Sequence, residues 1–227
     1  MMIRFFKRCC ILILFVAFVA IVLSVFGFSF SRNVSVQRPS SAPANGYPEL
    51  PWQLTLVNHE NGLPENHRFS LKTVADGQQV DKRIVSSLKS LLADAAAQGY
   101  DIHINSGYRT SKEQQQLYEE KLQTFLASGY DEATAAGLTQ QWVSPAGTSE
   151  HELGLAVDIG TATPDLYDWL LANSWRYGFI QRYPDDKTSI TGVAHEPWHL
   201  RYVGQDAAAA IYAQGLCLEE YVARLGG

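Results

Sequence analysis

The sequence carries no excess of positive charge, and this limits the partners it can bind. Its 227 residues include 18 Lys and Arg against 23 Asp and Glu, a formal net charge of −5. Three basic residues lie in the apolar N-terminal stretch, so residues 32–227 hold 15 basic and 23 acidic side chains, a net charge of −8. Binding to nucleic acid depends on clustered Lys and Arg that neutralise phosphates. The charge balance therefore argues against nucleic acid as a partner.

The sequence also lacks internal repeats and, beyond residue 48, low-complexity segments. A repeat period of 20 to 50 residues would indicate a solenoid or a propeller, and no such period is present. The composition, 46% hydrophobic and 18% charged, is typical of a globular protein and too apolar for a disordered one. About 180 residues follow the N-terminal stretch and its tether, a length that by the usual size scaling makes one domain.

The N-terminal stretch is uncharged for long enough to cross a membrane. No charged residue lies between Cys9 and Ser31, and residues 11–28 are almost continuously Ile, Leu, Val, Phe and Ala. About 20 apolar residues are needed to span hydrocarbon, whereas the apolar part of a cleaved signal peptide is shorter, about 7–15 residues. We therefore expect a transmembrane signal anchor at residues 1–31, with cleavage near Ser31 as the alternative.

Basic residues on one flank orient this segment. Arg4, Lys7 and Arg8 precede it, and the positive-inside rule places that end in the cytoplasm. We therefore expect a single pass through the cytoplasmic membrane. Everything after Arg32 is then exported, to the periplasm or the cell exterior.

Cysteine is rare in the sequence, which holds only Cys9, Cys10 and Cys217. The first two lie at the cytoplasmic edge of the predicted span and the third lies near the C-terminus. A disulfide between Cys217 and either of the others would have to cross the membrane. We expect no such disulfide.

A tether and then one folded domain follow the anchor. Residues 32–48 are rich in Ser, Pro, Asn and Gly and have no apolar periodicity, as expected of a flexible linker. The domain covers residues 49–227. Within it, apolar residues recur at helical spacing from Asp81 to Gln98, and polar and apolar residues alternate from Tyr100 to Asn105 as in a half-buried strand.

The sequence predicts further helices and strands in the domain. We predict helices at Ser111–Ala127 and Pro164–Tyr177, short strands at 179–180 and 200–203, and a C-terminal helical region. The inner face of the first of these helices is predicted to hold Leu117, Leu122, Phe125 and Leu126. This mixture of helices and strands predicts an α+β fold.

Three polar clusters carry the residue types of catalysis. They are SGYR at 106–109, SEHELGLAVD at 149–158 and HEPWHLR at 195–201. Catalytic zinc takes three protein ligands of His or carboxylate type and leaves a fourth position for water. His151, Asp158 and His199 would fill that need. Glu196 is then a candidate general base, able to take a proton from the water and pass it to the leaving amine.

One of these clusters has a second interpretation. Residues 195–199 satisfy H-E-x-x-H, whose two histidines must lie at i and i+4 on one helix face. Pro197 argues against a helix, because proline lacks its N–H and clashes with the carbonyl four residues back, at a cost of about 3 kcal/mol. In a regular strand Glu196 and His199 would point to opposite faces. We therefore predict an extended segment that bends near Pro197.

The three motifs resemble those of the VanY-type D-alanyl-D-alanine carboxypeptidase family of zinc peptidases. That family has the elements SGYR, S-x-H-x-x-G-x-A-x-D and E-x-W-H in this order, and the match covers about residues 50 to 205. The resemblance implies a single domain with a small, mainly antiparallel sheet flanked by helices, as in the related hedgehog domains. It also implies one zinc ion bound by His151, Asp158 and His199, with His195 not a ligand.

The same resemblance implies roles for further residues. Glu196 corresponds to the catalytic base, and Arg109 to the arginine that holds the substrate carbonyl oxygen as it becomes an oxyanion. Gln114, Ser149 and Tyr183 match positions that help to bind the D-amino acid end of the peptide.

The expected activity is the zinc-dependent removal of the C-terminal D-alanine from peptidoglycan stem peptides by metal-activated water. Two alternatives stay open. One is an L,D-carboxypeptidase that acts on tetrapeptide stems, and the other is a non-catalytic zinc-containing module that binds the cell wall. The presence of Glu196 favours an enzyme, because binding alone needs no general base.

Overall fold

The computed structural model describes residues 50–226 of the chain. The predicted membrane anchor at residues 1–31 and the predicted tether at residues 32–48 lie outside the described residues. Within residues 50–226, none of the helices combines the length and the apolar character needed to cross a membrane.

This part of the chain contains six strands and seven helices. The strands are β1 (Leu71–Thr73), β2 (Gln79–Asp81), β3 (His103–Ser106), β4 (Ala156–Gly160), β5 (Phe179–Gln181) and β6 (His199–Tyr202). The helices are α1 (Val85–Ala97), α2 (Ser111–Ala127), α3 (Glu132–Gln140), α4 (Asp165–Asn173), α5 (Thr188–Thr191), α6 (Gln205–Gln214) and α7 (Leu218–Leu225). Short 3-10 turns cover Trp52–Leu54, Ala75–Gly77, Lys82–Ile84, Glu150–Leu153, Ser174–Tyr177 and Asp185–Lys187. The predicted α+β class is confirmed.

The central sheet has four strands in the order β3-β4-β6-β5, and every neighbouring pair is antiparallel. The small antiparallel sheet implied by the resemblance is therefore confirmed. The register places Asp158 on β4 opposite His199 on β6 and opposite Ser106 on β3. Residues directly opposite each other in an antiparallel sheet have neighbouring side chains on one face. The sheet thus brings the three motifs to one place.

Two apolar clusters pack on opposite faces of the edge strand β5. Phe179 belongs to the larger cluster, together with Leu88 and Leu91 of α1, and Ile180 belongs to the second, together with Ile211 of α6. Successive residues of a strand point to opposite faces, so one short strand contributes to both clusters. Each fully buried side chain of this kind stabilises the fold by about 1.5–3 kcal/mol. The sheet that holds the motifs is therefore anchored on both sides.

The helix predicted at Ser111–Ala127 is present as α2, but its predicted inner face is only partly buried and does not join the apolar core. Its start is set by a local signal: the Thr110 hydroxyl accepts from the Glu113 N–H, and the Glu113 carboxylate accepts from the Thr110 N–H. Leu117, however, is 40% exposed, and the other apolar residues of that face are only partly buried. The buried residue of this helix is Gln114. The helix forms a wall of a polar cleft and does not cover the apolar core.

Two other predicted elements begin later than the sequence indicates. The helix predicted at Asp81–Gln98 starts at Val85, because the residues before it end β2 and form a 3-10 turn capped by the Asp81 carboxylate. The strand predicted at Tyr100–Asn105 is β3 and is shifted by a few residues towards the C-terminus. The helix predicted at Pro164–Tyr177 and the two later strands are confirmed as α4 with its following 3-10 turn, β5 and β6.

Candidate active site

The three motifs converge at the centre of the sheet. His151 lies on the 3-10 turn before β4, Asp158 lies on β4, and His199 is the first residue of β6. One ligand atom from each of the three side chains lies within 4.8 Å of the other two. The structure therefore brings together the three residues that the sequence nominates as metal ligands.

The donor atoms of this cluster are close enough to share one metal ion. Nε2 of His151 lies 3.2 Å from Oδ2 of Asp158, and Nδ1 of His199 lies 3.0 Å from Oδ1 of Asp158. Zinc binds nitrogen and oxygen ligands at about 2.0–2.2 Å, so two tetrahedral ligands lie about 3.3 Å apart. Each imidazole nitrogen lies close to that distance from one of the two oxygens of Asp158. Two imidazoles and one carboxylate are also a known donor set of catalytic zinc.

His151 is oriented by its second ring nitrogen. Its Nδ1 lies 2.7 Å from the carbonyl oxygen of Gly107, so Nδ1 carries the hydrogen and donates it, and Nε2 is left with its lone pair. Nε2 is buried and has no hydrogen-bond partner among the described residues. Burial and the charge of Arg109 lower the pKa of His151 to about 4, so the ring is neutral at pH 7. This neutral form is the one that binds a metal ion.

Acidic groups face His199 on two sides. Its Nδ1 lies 3.0 Å from Asp158, and its Nε2 lies 3.6 Å from Oε2 of Glu150. Burial on its own would lower the pKa of His199, but the neighbouring carboxylates, Asp158 above all, raise it to about 9. The metal-free ring is therefore protonated at pH 7. A metal ion has to displace a proton to bind there.

Asp158 is held as a carboxylate. Burial opposes its ionisation, but the adjacent His151 and His199 hold its pKa well below the usual range. Its Oδ2 also accepts a hydrogen bond from Nη2 of Arg109 at 3.0 Å. An ionised carboxylate between two imidazoles supplies the negative charge that a divalent cation needs.

Glu196 reaches the same point from the loop before β6. The chain turns at Pro197, where the His199 N–H donates to the carbonyl oxygen of Glu196 at 3.1 Å. The turn puts both side chains on one side, with Oε2 of Glu196 3.9 Å from Nδ1 of His199. The bend expected from the proline is therefore present. Burial raises the pKa of Glu196 to about 7, a value suited to a general base near neutral pH.

Arg109 is fixed by hydrogen bonds from all three of its nitrogens. Nε donates to Oγ of Ser106 at 3.0 Å, Nη1 donates to Oε1 of Gln114 at 2.6 Å, and Nη2 donates to Asp158. Burial lowers the pKa of Arg109 and Asp158 raises it, but an arginine stays cationic at any working pH. A rigid cation beside the cluster can stabilise negative charge that develops there.

Two motif glycines are required by the backbone around the site. A Cβ at Gly107 would lie 2.4 Å from the carbonyl oxygen of Gln79, so the SGYR loop can approach β2 only without a side chain. Gly154 has a φ of +70° and lies against the backbone of Asp81. Both positions need glycine for shape and not for chemistry.

A cleft of about 500 Å³ surrounds the cluster, and all eight candidate site residues line it. The ring of Tyr183 lies 5.0 Å from that of His199, and burial together with the charge of Glu150 raises the Tyr183 pKa, so it is a neutral phenol. Ser149 is buried at the start of the 3-10 turn. Gln114 uses its Oε1 on Arg109 and donates from Nε2 to the carbonyl oxygen of Ser144 at 2.6 Å.

His195 lies apart from the ligand cluster. Its Nδ1 is 3.0 Å from the carbonyl oxygen of Tyr183, and its side chain lines a separate groove of about 650 Å³ that also contains Trp175 and Tyr212. Residues 195–198 are not helical. The helical H-E-x-x-H interpretation is therefore wrong for this segment.

Sequence reasoning missed part of the cleft wall. Lys121 and Leu117 of α2 line the cleft together with Trp142, and the Lys121 ammonium lies 5.5 Å from the Trp142 ring centre. Residues 114, 117 and 121 are spaced three and four apart, so they share one helix face. That spacing, applied outward from Gln114, is the signal that could have identified them.

Comparison with known proteins connects this geometry to a family. The family model of VanY, described as D-alanyl-D-alanine carboxypeptidase, matches residues 77–205. The chain belongs to the VanY family. All three motifs lie in the matched region.

Relatives in the VanY family are found among both curated proteins and solved structures. A D-alanyl-D-alanine carboxypeptidase of Enterococcus faecalis is 48% identical over 179 residues, which are 77% of this chain and 67% of the relative. A crystal structure of a mutant of the vancomycin resistance D,D-pentapeptidase VanY in complex with Zn(II) matches with a TM-score of 0.73 and 47% identity, covering 76% of this chain and 99% of that one. The structure of VanYB with D-alanine-D-alanine matches with a TM-score of 0.74 and 47% identity, covering 76% and 98% of the two chains.

Proposed function

We propose that this protein is a zinc-dependent D-alanyl-D-alanine carboxypeptidase that removes the C-terminal D-alanine from peptidoglycan stem peptides. The observation that carries the proposal is the cluster of His151, Asp158 and His199 with Glu196 beside it in one cleft. A VanY relative binds Zn(II), and VanYB binds D-alanine-D-alanine. Both relatives share nearly half of the aligned residues with this chain, which supports the same metal and substrate class here.

The residues present fit a zinc ion. Nε2 of His151 is buried without a partner among the described residues, and Nδ1 of His199 and the carboxylate of Asp158 complete a set of three donors. Three protein ligands leave a position for water, as in catalytic zinc sites. When bound, zinc supplies Lewis acidity that lowers the pKa of a water molecule and polarises the scissile carbonyl.

Glu196 acts as the general base and then as the general acid. Its carboxylate takes a proton from the attacking water, whose oxygen forms the new bond to the carbonyl carbon. It then passes this proton to the nitrogen of the departing D-alanine as the C–N bond breaks. Its pKa of about 7 in the metal-free protein reflects burial, and a nearby cation would favour its ionised form.

Arg109 stabilises the negative charge that forms on the carbonyl oxygen during attack. Its three hydrogen bonds hold the guanidinium in place before the substrate arrives, so little reorganisation is needed in the transition state. A polar cleft wall helps to hold the peptide end: one N–H of the Gln114 amide remains for the substrate, and Ser149 and Tyr183 each carry a hydroxyl.

Arg109→Ala is expected to lower kcat by about 10²–10³-fold, the usual cost of removing an oxyanion stabiliser. Because Arg109 also contacts Asp158, bound zinc is measured in the same preparation, and we expect it to be retained. Arg176→Ala, which removes an exposed arginine outside the cleft, is the matched control and should keep full activity. An Arg109→Ala variant with unchanged kcat would contradict the assigned role.

The bond that is cut can be tested with defined muropeptides. The purified protein is expected to release one D-alanine from a pentapeptide stem and to leave a tetrapeptide, measured by mass spectrometry of the products. Conversion of tetrapeptide to tripeptide with no action on pentapeptide would instead identify an L,D-carboxypeptidase, with the metal cluster and base in the same roles. Binding of the peptides without release of any amino acid would identify a non-catalytic module.

A further inference from the structure

A buried glutamate that the mechanism does not use lies directly behind His199. Glu150 is 1% exposed, and its Oε1 accepts hydrogen bonds from Nε of Arg182 and Nη1 of Arg201, both at 2.7 Å. Its other oxygen, Oε2, is also buried and has no hydrogen-bond partner within residues 50–226. Leaving a buried carboxylate oxygen unpaired is costly, so its position calls for an explanation.

Oε2 of Glu150 faces the ring nitrogen of His199 that lies away from the ligand cluster. The two atoms are 3.6 Å apart, and this nitrogen, Nε2, likewise lacks a hydrogen-bond partner in the described part of the chain. The opposite ring nitrogen, Nδ1, lies 3.0 Å from Asp158 inside the cluster. Two unpartnered atoms of complementary character, an acceptor and a potential donor, therefore face each other slightly beyond hydrogen-bond distance.

We propose that Glu150 is a positioning residue that holds His199 in the tautomer required for binding zinc, an inference that rests on the proposed zinc site. A neutral ring that binds a metal through Nδ1 must carry its hydrogen on Nε2. A carboxylate can only accept a hydrogen bond, so Glu150 favours this tautomer and fixes the plane of the ring. Partners of this kind are typically worth about 10–100-fold in metal affinity.

The surroundings of Glu150 keep its Oε2 aimed at the ring. Arg182 also binds Glu219 with both of its terminal nitrogens, at 2.6 and 2.9 Å, and Arg201 also donates to main-chain carbonyls near the start of the domain. The two guanidinium groups are fully buried, and their hydrogen bonds to Oε1 restrain the rotation of the Glu150 carboxylate. A carboxylate held this firmly constrains His199 from the side opposite the metal.

Glu150→Gln tests this role because it changes donor character with little change in size. If the amide oxygen keeps the hydrogen bonds from Arg182 and Arg201, the amide NH₂ faces Nε2 of His199. This arrangement favours hydrogen on Nδ1, the tautomer that cannot bind the ion through Nδ1. We expect the Kd for zinc, measured by competition with a chelator, to rise about 10–100-fold. Thermal unfolding of the metal-free variant is recorded alongside, so that a loss of folding is seen separately.

Glu219→Gln is the matched control. The substitution removes the negative charge that Glu219 places on Arg182, so it perturbs the same arginine network. The Glu219 side chain does not face His199. We expect its zinc affinity to match that of the unmodified protein. An equal loss of zinc affinity in both variants would overturn the positioning role, because the effect would then belong to the arginine network as a whole. An unchanged Kd for zinc in Glu150→Gln would overturn it as well. Failure of the unmodified protein to bind zinc would overturn the zinc site itself and this inference with it.

Nitrogen NMR of the unmodified zinc-loaded protein provides a test that needs no variant. With histidine labelled by ¹⁵N, the ring of His199 is expected to show a metal-bound Nδ1 and a hydrogen on Nε2 that exchanges slowly with water. A hydrogen on Nδ1, with Nε2 as the ligand, would overturn the inference while leaving the zinc site intact.

Discussion

Glu196→Gln is expected to lower kcat for D-alanine release by about 10²–10⁴-fold while zinc stays bound. Glutamine matches the size of the buried side chain but cannot take a proton from water or return one to the departing amine. The three metal ligands are untouched, so the bound metal, measured by elemental analysis, should remain at one ion per chain. Loss of turnover with full metal content is therefore the result that identifies the general base.

His195→Ala is the control for this variant. His195 is the neighbour of Glu196 in the chain, but its ring lies in a different groove. There its Nδ1 lies within hydrogen-bond distance of the carbonyl oxygen of Tyr183. Activity and metal content should both stay close to normal. If His195→Ala lost zinc instead, His195 would have to be a ligand, and the assignment of His151, Asp158 and His199 as the ligand set would fail.

The parts of the fold that follow from local signals are predictable from the sequence. The capping pair of Thr110 and Glu113 sets the start of α2, and Pro197 forces the bend that turns Glu196 towards His199. Strand β4 is harder to predict, since it is a central strand with four of its five residues buried. Buried central strands show no alternation of polar and apolar residues, so periodicity does not reveal them.

The catalytic residues of the site can also be predicted from the sequence. Zinc and general-base chemistry restrict the residue types strongly, so the motifs nominate the three ligands of the cluster together with Glu196 and Arg109, all of which line the cleft. The sequence does not show which way an acidic neighbour points. Glu150 and Glu152 flank His151 symmetrically in the chain, yet Glu150 faces His199 whereas Glu152 accepts from the N–H of Gly147. The different contacts of Glu150 and Glu152 are set by tertiary packing, which the sequence pattern does not show.

Removal of the metal with a chelator is expected to reduce peptide cleavage to background, and addition of one equivalent of zinc to restore it. Without an ion, Glu196 remains a proton acceptor, but nothing lowers the pKa of the attacking water or polarises the scissile carbonyl, so attack at neutral pH should be very slow. His151→Ala should behave like the metal-free protein and should not recover on addition of zinc, because two ligands remain where three are needed.

The thermal stability of the protein provides a second measurement of zinc binding. A ligand that binds only the folded state stabilises it by about 2.7 kcal/mol at a free concentration of 100 times its Kd, so zinc should raise the Tm of the unmodified protein. The His151→Ala variant should show a much smaller rise at the same zinc concentration. Full activity in metal-free protein would refute the proposed mechanism, because Glu196 and Arg109 alone supply a proton acceptor and a cation but no means of lowering the pKa of the attacking water.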